Sequence, residues 1–127
     1  MAMNCTVDQA HHALYALLAG RVTGTADLGY VQYQGTGFKY PCLRYWAALQ
    51  PTPCGDWDAQ VLAYGWAEGD DPRPALALAD EVVAAVHQRR WSHDGVLLQA
   101  MRVTSVPRLT RQDRLWRSEV GVRCLAT

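Results

Sequence analysis

The stretch DWDAQVLAYGWAEGDDPRPALALADEVVAAVHQRRW, Asp56 to Trp91, decides the fold. Its second half reads as one amphipathic helix. Ala75, Leu78, Ala79, Val82, Val83 and Val86 recur at three- and four-residue steps and form a continuous apolar stripe. Asp71 is the expected N-cap, with Pro72 at the first helical position, where a missing N–H costs nothing. Glu68 and Asp70 place negative charge at the positive end of the helix dipole, and Arg89 and Arg90 suit the other end. The first half, Trp57 to Ala67, is too aromatic and too closely bracketed by breakers for a helix, so it reads as a strand. Trp57, Ala59, Val61, Ala63 and Gly65 share a small or apolar face that suits a helix, opposite Asp58, Gln60, Leu62, Tyr64 and Trp66. That mixed second face fits either cover by a partner or cover from both sides within one domain.

Outward from this unit, Thr6 to Ala19 is expected to be the first helix. Thr6 and Gln9 form a capping-box pattern, Gly20 supplies a stop, and Val7, Ala10, Leu14, Leu17 and Leu18 form the buried stripe. Arg21 to Phe38 is a Gly- and Thr-rich connection with a short strand at Gly29–Gln34. Its glycines lack the pattern of a phosphate loop. Tyr40 and Pro41 lead into a strand from Cys42 to Leu49, with Tyr45 and Trp46 on opposite faces, and Pro51, Pro53 and Gly55 turn the chain. Beyond the central helix, Ser92–Gly95 reads as a turn and Val96–Val106 as a strand. Arg108–Arg114 reads as a polar turn, and Leu115–Leu125 as the last strand, paired with its predecessor as an antiparallel hairpin. The expected class is α+β: a mostly antiparallel sheet of about four to five strands with two main helices packed on it.

The 127 residues suit one domain, spanning 1–127, that needs no metal or disulfide to hold its core. Half the residues are hydrophobic and the formal net charge is zero, which argues against disorder and against a strong polyelectrolyte partner. The charge is uneven. Residues 1–88 carry 4 basic and 9 acidic side chains, and residues 89–127 carry 8 basic and 3 acidic. Nucleic-acid binding by the basic end, head-to-tail association and unrelated solvated surfaces are all compatible with this. Cys5, Cys42, Cys54 and Cys124 have no C-x-x-C spacing and read as reduced packing residues, with a Cys42–Cys54 bridge as the alternative. No secretory leader is expected from the N-terminal residues, and no apolar run approaches the roughly 18–20 residues of a bilayer span.

Motifs for chemistry are weak throughout, and no catalytic residue, cofactor or metal site is expected. His11 and His12 are adjacent, about 100° apart around a helix, and cannot both face one ion. Ser92, His93 and Asp94 are consecutive, whereas triad groups converge from separate segments. Cys54 with a histidine is a nucleophile pair on paper only. Glu68, Asp70 and Asp71 lack the spacing of a calcium loop. Arg102, Arg108, Arg111, Arg114, Arg117 and Arg123 are available to phosphates, yet only Trp116 is interleaved with them and no reading helix carries them.

The order of elements carries a resemblance. A capped N-terminal helix is followed by the aromatic–Pro step of KYPCLRYW and by AQVLAYGWAEG, a strand with a late tryptophan. An acidic loop, Asp70-Asp71-Pro72, then opens the Ala-rich helix Ala75–Val86, and VTSVPRLTRQDRLWRSEVGVRC closes the chain as a two-stranded finish. This arrangement resembles the tail terminator, or tail-completion, proteins of long-tailed bacteriophages and prophages. The resemblance implies a homo-oligomeric ring, a hexamer, that caps the head-proximal end of the tail tube, ends its polymerisation and joins it to the head connector. Its implied partners are further copies of itself, the tail tube protein and the neck protein. DNA would only pass through the lumen, and no membrane is involved. The implied location is the virion tail or neck, after assembly in the host cytoplasm. Expected interface residues are Arg108, Arg111, Arg114, Arg117, Glu68, Asp70, Tyr64 and Trp66. A neck connector is the alternative, and a small ligand- or nucleic-acid-binding domain, with a pocket near His11, His87 or Cys54, stands outside both.

Overall fold

The computed structural model describes residues 3–24, 27–30, 39–105 and 107–127. In chain order they form α1 (Val7–Arg21), β1 (Asp27–Tyr30), β2 (Cys42–Pro51), β3 (Trp57–Glu68), α2 (Arg73–Val86), β4 (Trp91–His93), β5 (Val96–Val103), β6 (Arg108–Gln112) and β7 (Leu115–Ala126). The strands make one sheet of order β1-β2-β3-β7-β5-β4, with β6 also on β7. Every pairing is antiparallel except the short β1–β2 contact. The α+β class stands, and two short strands, β4 and β6, extend the sheet.

The two longest strands, β3 and β7, pair without a break from Trp57↔Ala126 to Glu68↔Leu115. Side chains alternate across a strand, so this register sends Ala59, Val61, Ala63, Gly65 and Ala67 to one face with Val120, Val122, Cys124 and Ala126 beside them. All of these are buried. Both helices cover that face. From α2 come Ala75, Leu78, Ala79, Val82, Ala85 and Val86, and from α1 come Ala10, Ala13, Leu14, Leu17 and Leu18. The strand's small residues let the helix approach closely. A Cβ added at Gly65 would stand 2.8 Å from Leu78 Cβ and 2.7 Å from Ser118 Oγ, so the site is closed to any side chain. Glu81 ties the two helical segments together by accepting from Thr23 Oγ1 at 2.9 Å and from the backbone amides of Thr23 and Gly24.

Several local expectations need correction. The capping box at Thr6 and Gln9 forms, but α1 runs through Gly20 to Arg21, where Glu81 receives the following chain. Val7 is 43% exposed, and Ala13 joins the buried stripe in its place. Asp71 is not the N-cap. Pro72 holds that position without a side-chain bond, while Asp71 Oδ1 accepts from the Arg73 amide at 3.0 Å. Ser92 belongs to β4, and the turn is confined to Asp94 and Gly95, both at positive φ. β5 ends at Val103, and a bulge between Gln99 and Arg102 holds Ala100 at φ 53°. Arg108–Gln112, read as a turn, is a strand: it is polar because it is exposed and satisfies its backbone on β7. The strand expected at Gly29–Gln34 overlaps β1 at Gly29 and Tyr30, and the rest of it lies outside the described residues. Cys42 and Cys54 do not form a disulfide with each other. They lie at opposite ends of β2, separated by roughly 30 Å of extended chain, far beyond disulfide reach.

Gly65→Ala is expected to lower the unfolding free energy by about 1–3 kcal/mol, the usual cost of overpacking a closed core site. Gly69→Ala stands as the contrasting variant: its Cβ meets no neighbour, so its cost is that of the φ of 107° alone. Urea unfolding of both variants checks the difference. An unchanged Gly65→Ala midpoint would show that α2 does not pack this tightly.

Candidate interaction face

The same β3–β7 register points Asp58, Gln60, Leu62, Tyr64 and Trp66 away from the helices, beside Arg117, Glu119, Gly121, Arg123 and Leu125. β2 adds Arg44, Trp46 and Ala48 to this outer face, since Arg44 pairs with Tyr64 and Trp46 with Leu62. Trp46, Leu62, Tyr64, Trp66 and Arg117 line a shallow depression of about 390 Å³. Leu62 and the three aromatic side chains are half-buried. The Arg117 guanidinium lies over both Tyr64 (5.1 Å to the ring centre) and Trp66 (5.5 Å), a cation–π arrangement. Burial, and then the charge of Glu119, push the Tyr64 hydroxyl above its ordinary pKa, so it remains a neutral phenol able to donate.

Toward the other end the face turns polar. Arg123 Nε donates to Asp58 Oδ1 at 3.0 Å and its Nη2 donates to Oδ2, a two-point pair. The hydrogen bond from Arg123, aided by its charge, holds the Asp58 carboxyl below the ordinary range. The result is an aromatic centre with charges of both signs at its margin.

The expected interface residues divide between the two faces. Tyr64, Trp66 and Arg117 converge. Glu68 lies on the same outer face, and Arg108 faces it from β6 opposite Glu119. Arg111 and Asp70 do not join them. Arg111 points to the helix side, where it lies 4.9 Å from the Trp116 ring centre and donates to Asp70 at 3.2 Å. Arg114 sits in the β6–β7 turn, its carbonyl accepting from the Gly69 amide. Arg111 and Asp70, two of the charges expected to join subunits, are thus joined to each other within one chain, as are Arg123 and Asp58. These pairs also break the run of arginines that a phosphate backbone would follow. Trp46, placed opposite Tyr45 by strand alternation, was not among the expected interface residues.

Elsewhere, His11 lines a shallow depression with Asp8, His12, Tyr15 and Tyr45. His87 caps the end of α2 and Cys54 lies in the β2–β3 turn, and both are exposed. Glu68, Asp70 and Asp71 do not form a cation cage, because Arg111 and Arg73 take up Asp70 and Asp71. His12, His93 and Asp94 do converge. No helix among the described residues is long and apolar enough to cross a membrane. Compared with known protein families and with curated proteins, the chain finds no match.

The depressed Asp58 pKa means that its pair with Arg123 stabilises the fold above the ordinary carboxylate range and ceases to do so as pH falls through the folded-state value. Asp58→Asn should therefore melt below the wild type at neutral pH, and the two melting curves should converge on acidification. A gap that persists at low pH would assign the effect to packing and not to charge.

Proposed function

We propose that this protein is a structural assembly subunit whose outer sheet face is its contact surface, acting as a tail-terminator-like ring that caps a phage tail tube and joins it to the head connector. The aromatic face carries the proposal. Tyr, Trp and Arg are the residue types that dominate binding energy at protein interfaces, and a centre of rings with a charged margin is the usual anatomy of one. Trp46, Leu62, Tyr64 and Trp66 lie on a sheet face that α1 and α2 do not cover and are only half-buried among the described residues, which supports burial by another protein. The mixed charges of Asp58, Glu119, Arg117 and Arg123 favour a protein over a uniformly anionic strand. A closed ring of identical copies needs two different surfaces per subunit. In this reading the aromatic face is one of them, and the tube, a neighbouring copy or the connector supplies its complement.

Light scattering over a range of protein concentrations tests the reading. A discrete oligomer, or a concentration-dependent equilibrium leading to one, is expected. Trp66→Ala and Arg117→Glu should each weaken assembly by about 2 kcal/mol or more, roughly 30-fold, as central contact residues do. Circular dichroism would establish that both variants remain folded. A wild type that stays monomeric at every concentration, or an oligomer indifferent to both changes, would contradict the proposal.

A further inference from the structure

From a different part of the molecule we infer that His12, His93 and Asp94 form a binding site for one borderline divalent cation, of which zinc is the representative. His12 projects from the middle of α1, and His93 ends β4 at the sheet's edge. Their rings meet edge to face with centroids 5.2 Å apart. Asp94 and Gly95, both at positive φ, make the two-residue connection between β4 and β5, which turns the Asp94 carboxylate back beside the preceding histidine. One donor atom from each of the three side chains lies within 4.8 Å of the others.

The spacing matches a coordination sphere. Two ligands at the usual Zn–N and Zn–O distances of about 2.0–2.1 Å in a tetrahedron stand about 3.3 Å apart. His93 Nε2 and Asp94 Oδ2 are 3.4 Å apart. That nitrogen is shielded from solvent and makes no hydrogen bond, although it stands beside the Asp94 carboxylate. His12 is exposed and can close the remaining distance by rotation of its side chain. Asp8, one turn earlier on α1, adds negative charge nearby. Two imidazoles and one carboxylate suit zinc, cobalt, nickel or copper, whereas magnesium and calcium need more oxygen donors. Three protein ligands leave a coordination position for water. The adjacency of His11 and His12 does not bear on this site, because the second histidine comes from β4.

Titration calorimetry of the untagged protein with zinc chloride tests the inference, with the visible spectrum of the cobalt-loaded protein reporting geometry. One ion per chain is expected, with a melting temperature that rises with zinc concentration. His12→Ala and His93→Ala should each weaken binding at least as much as loss of an outer-shell partner does, roughly 10–100-fold. Asp94→Asn should weaken it too, and His87→Ala, at the exposed end of α2, should leave it unchanged. His12 and Asp94 are exposed, so their variants keep the fold even if His93→Ala does not. Absence of zinc binding by the wild type, or binding that survives both His12→Ala and Asp94→Asn, would overturn the assignment.

Discussion

The pairing of β3 with β7 is the constraint on which the rest of the structure depends. Twelve consecutive residues of each strand face one another, and alternation sends every second pair to the helices and the others outward. A slip of one residue would turn one strand over, carrying Tyr64 and Trp66 of β3, or Arg117 of β7, into the core and exposing Val61 and Ala63, or Val120 and Val122. The burial of small and branched residues against α1 and α2 therefore fixes the outer face as well. Core and candidate interface are two consequences of a single register.

Gly65 makes that register hard to escape. It lets α2 bring Leu78 directly onto the strand, with Ser118 of β7 completing the contact. Glu81 then anchors the chain leaving α1 to the same helix. The sheet curls around this pair of helices, one of its faces filled by them and the other left to the aromatic cluster.

Much of this was legible in the sequence. The alternation of Trp57–Ala67 identified the helix-facing set correctly, and the stripe of α2 was nearly complete, with Ala85 in place of Val83. Hydrophobic periodicity is strong where one face is buried, and these segments are buried on one face. It fails where exposure removes the pattern: β6, with Arg108, Thr110, Arg111 and Gln112, looks like a turn because its partner strand supplies what holds it. Asp71 shows another limit, since a suitable capping residue followed by Pro72 does not reveal which of them takes the cap. The Asp94-Gly95 pair, read only as part of a turn, joins β4 to β5 as a hairpin. Of the interface residues, Tyr64, Trp66 and Arg117 converge because they belong to paired strands. Arg111 and Asp70 meet each other, a pairing across 41 positions that no local pattern encodes. The meeting of His12 with His93 is equally non-local.

The account's central claim is that the outer sheet face is the surface buried on assembly. Hydroxyl-radical footprinting of the protein, dilute and then concentrated into its assembled form, tests it most directly. Labelling of Trp46, Tyr64 and Trp66 should fall on assembly, while Tyr15, exposed on α1, keeps its reactivity. Protection of Tyr15 with unchanged labelling of the three outer-face aromatics would place the contact on the helical side and contradict the account.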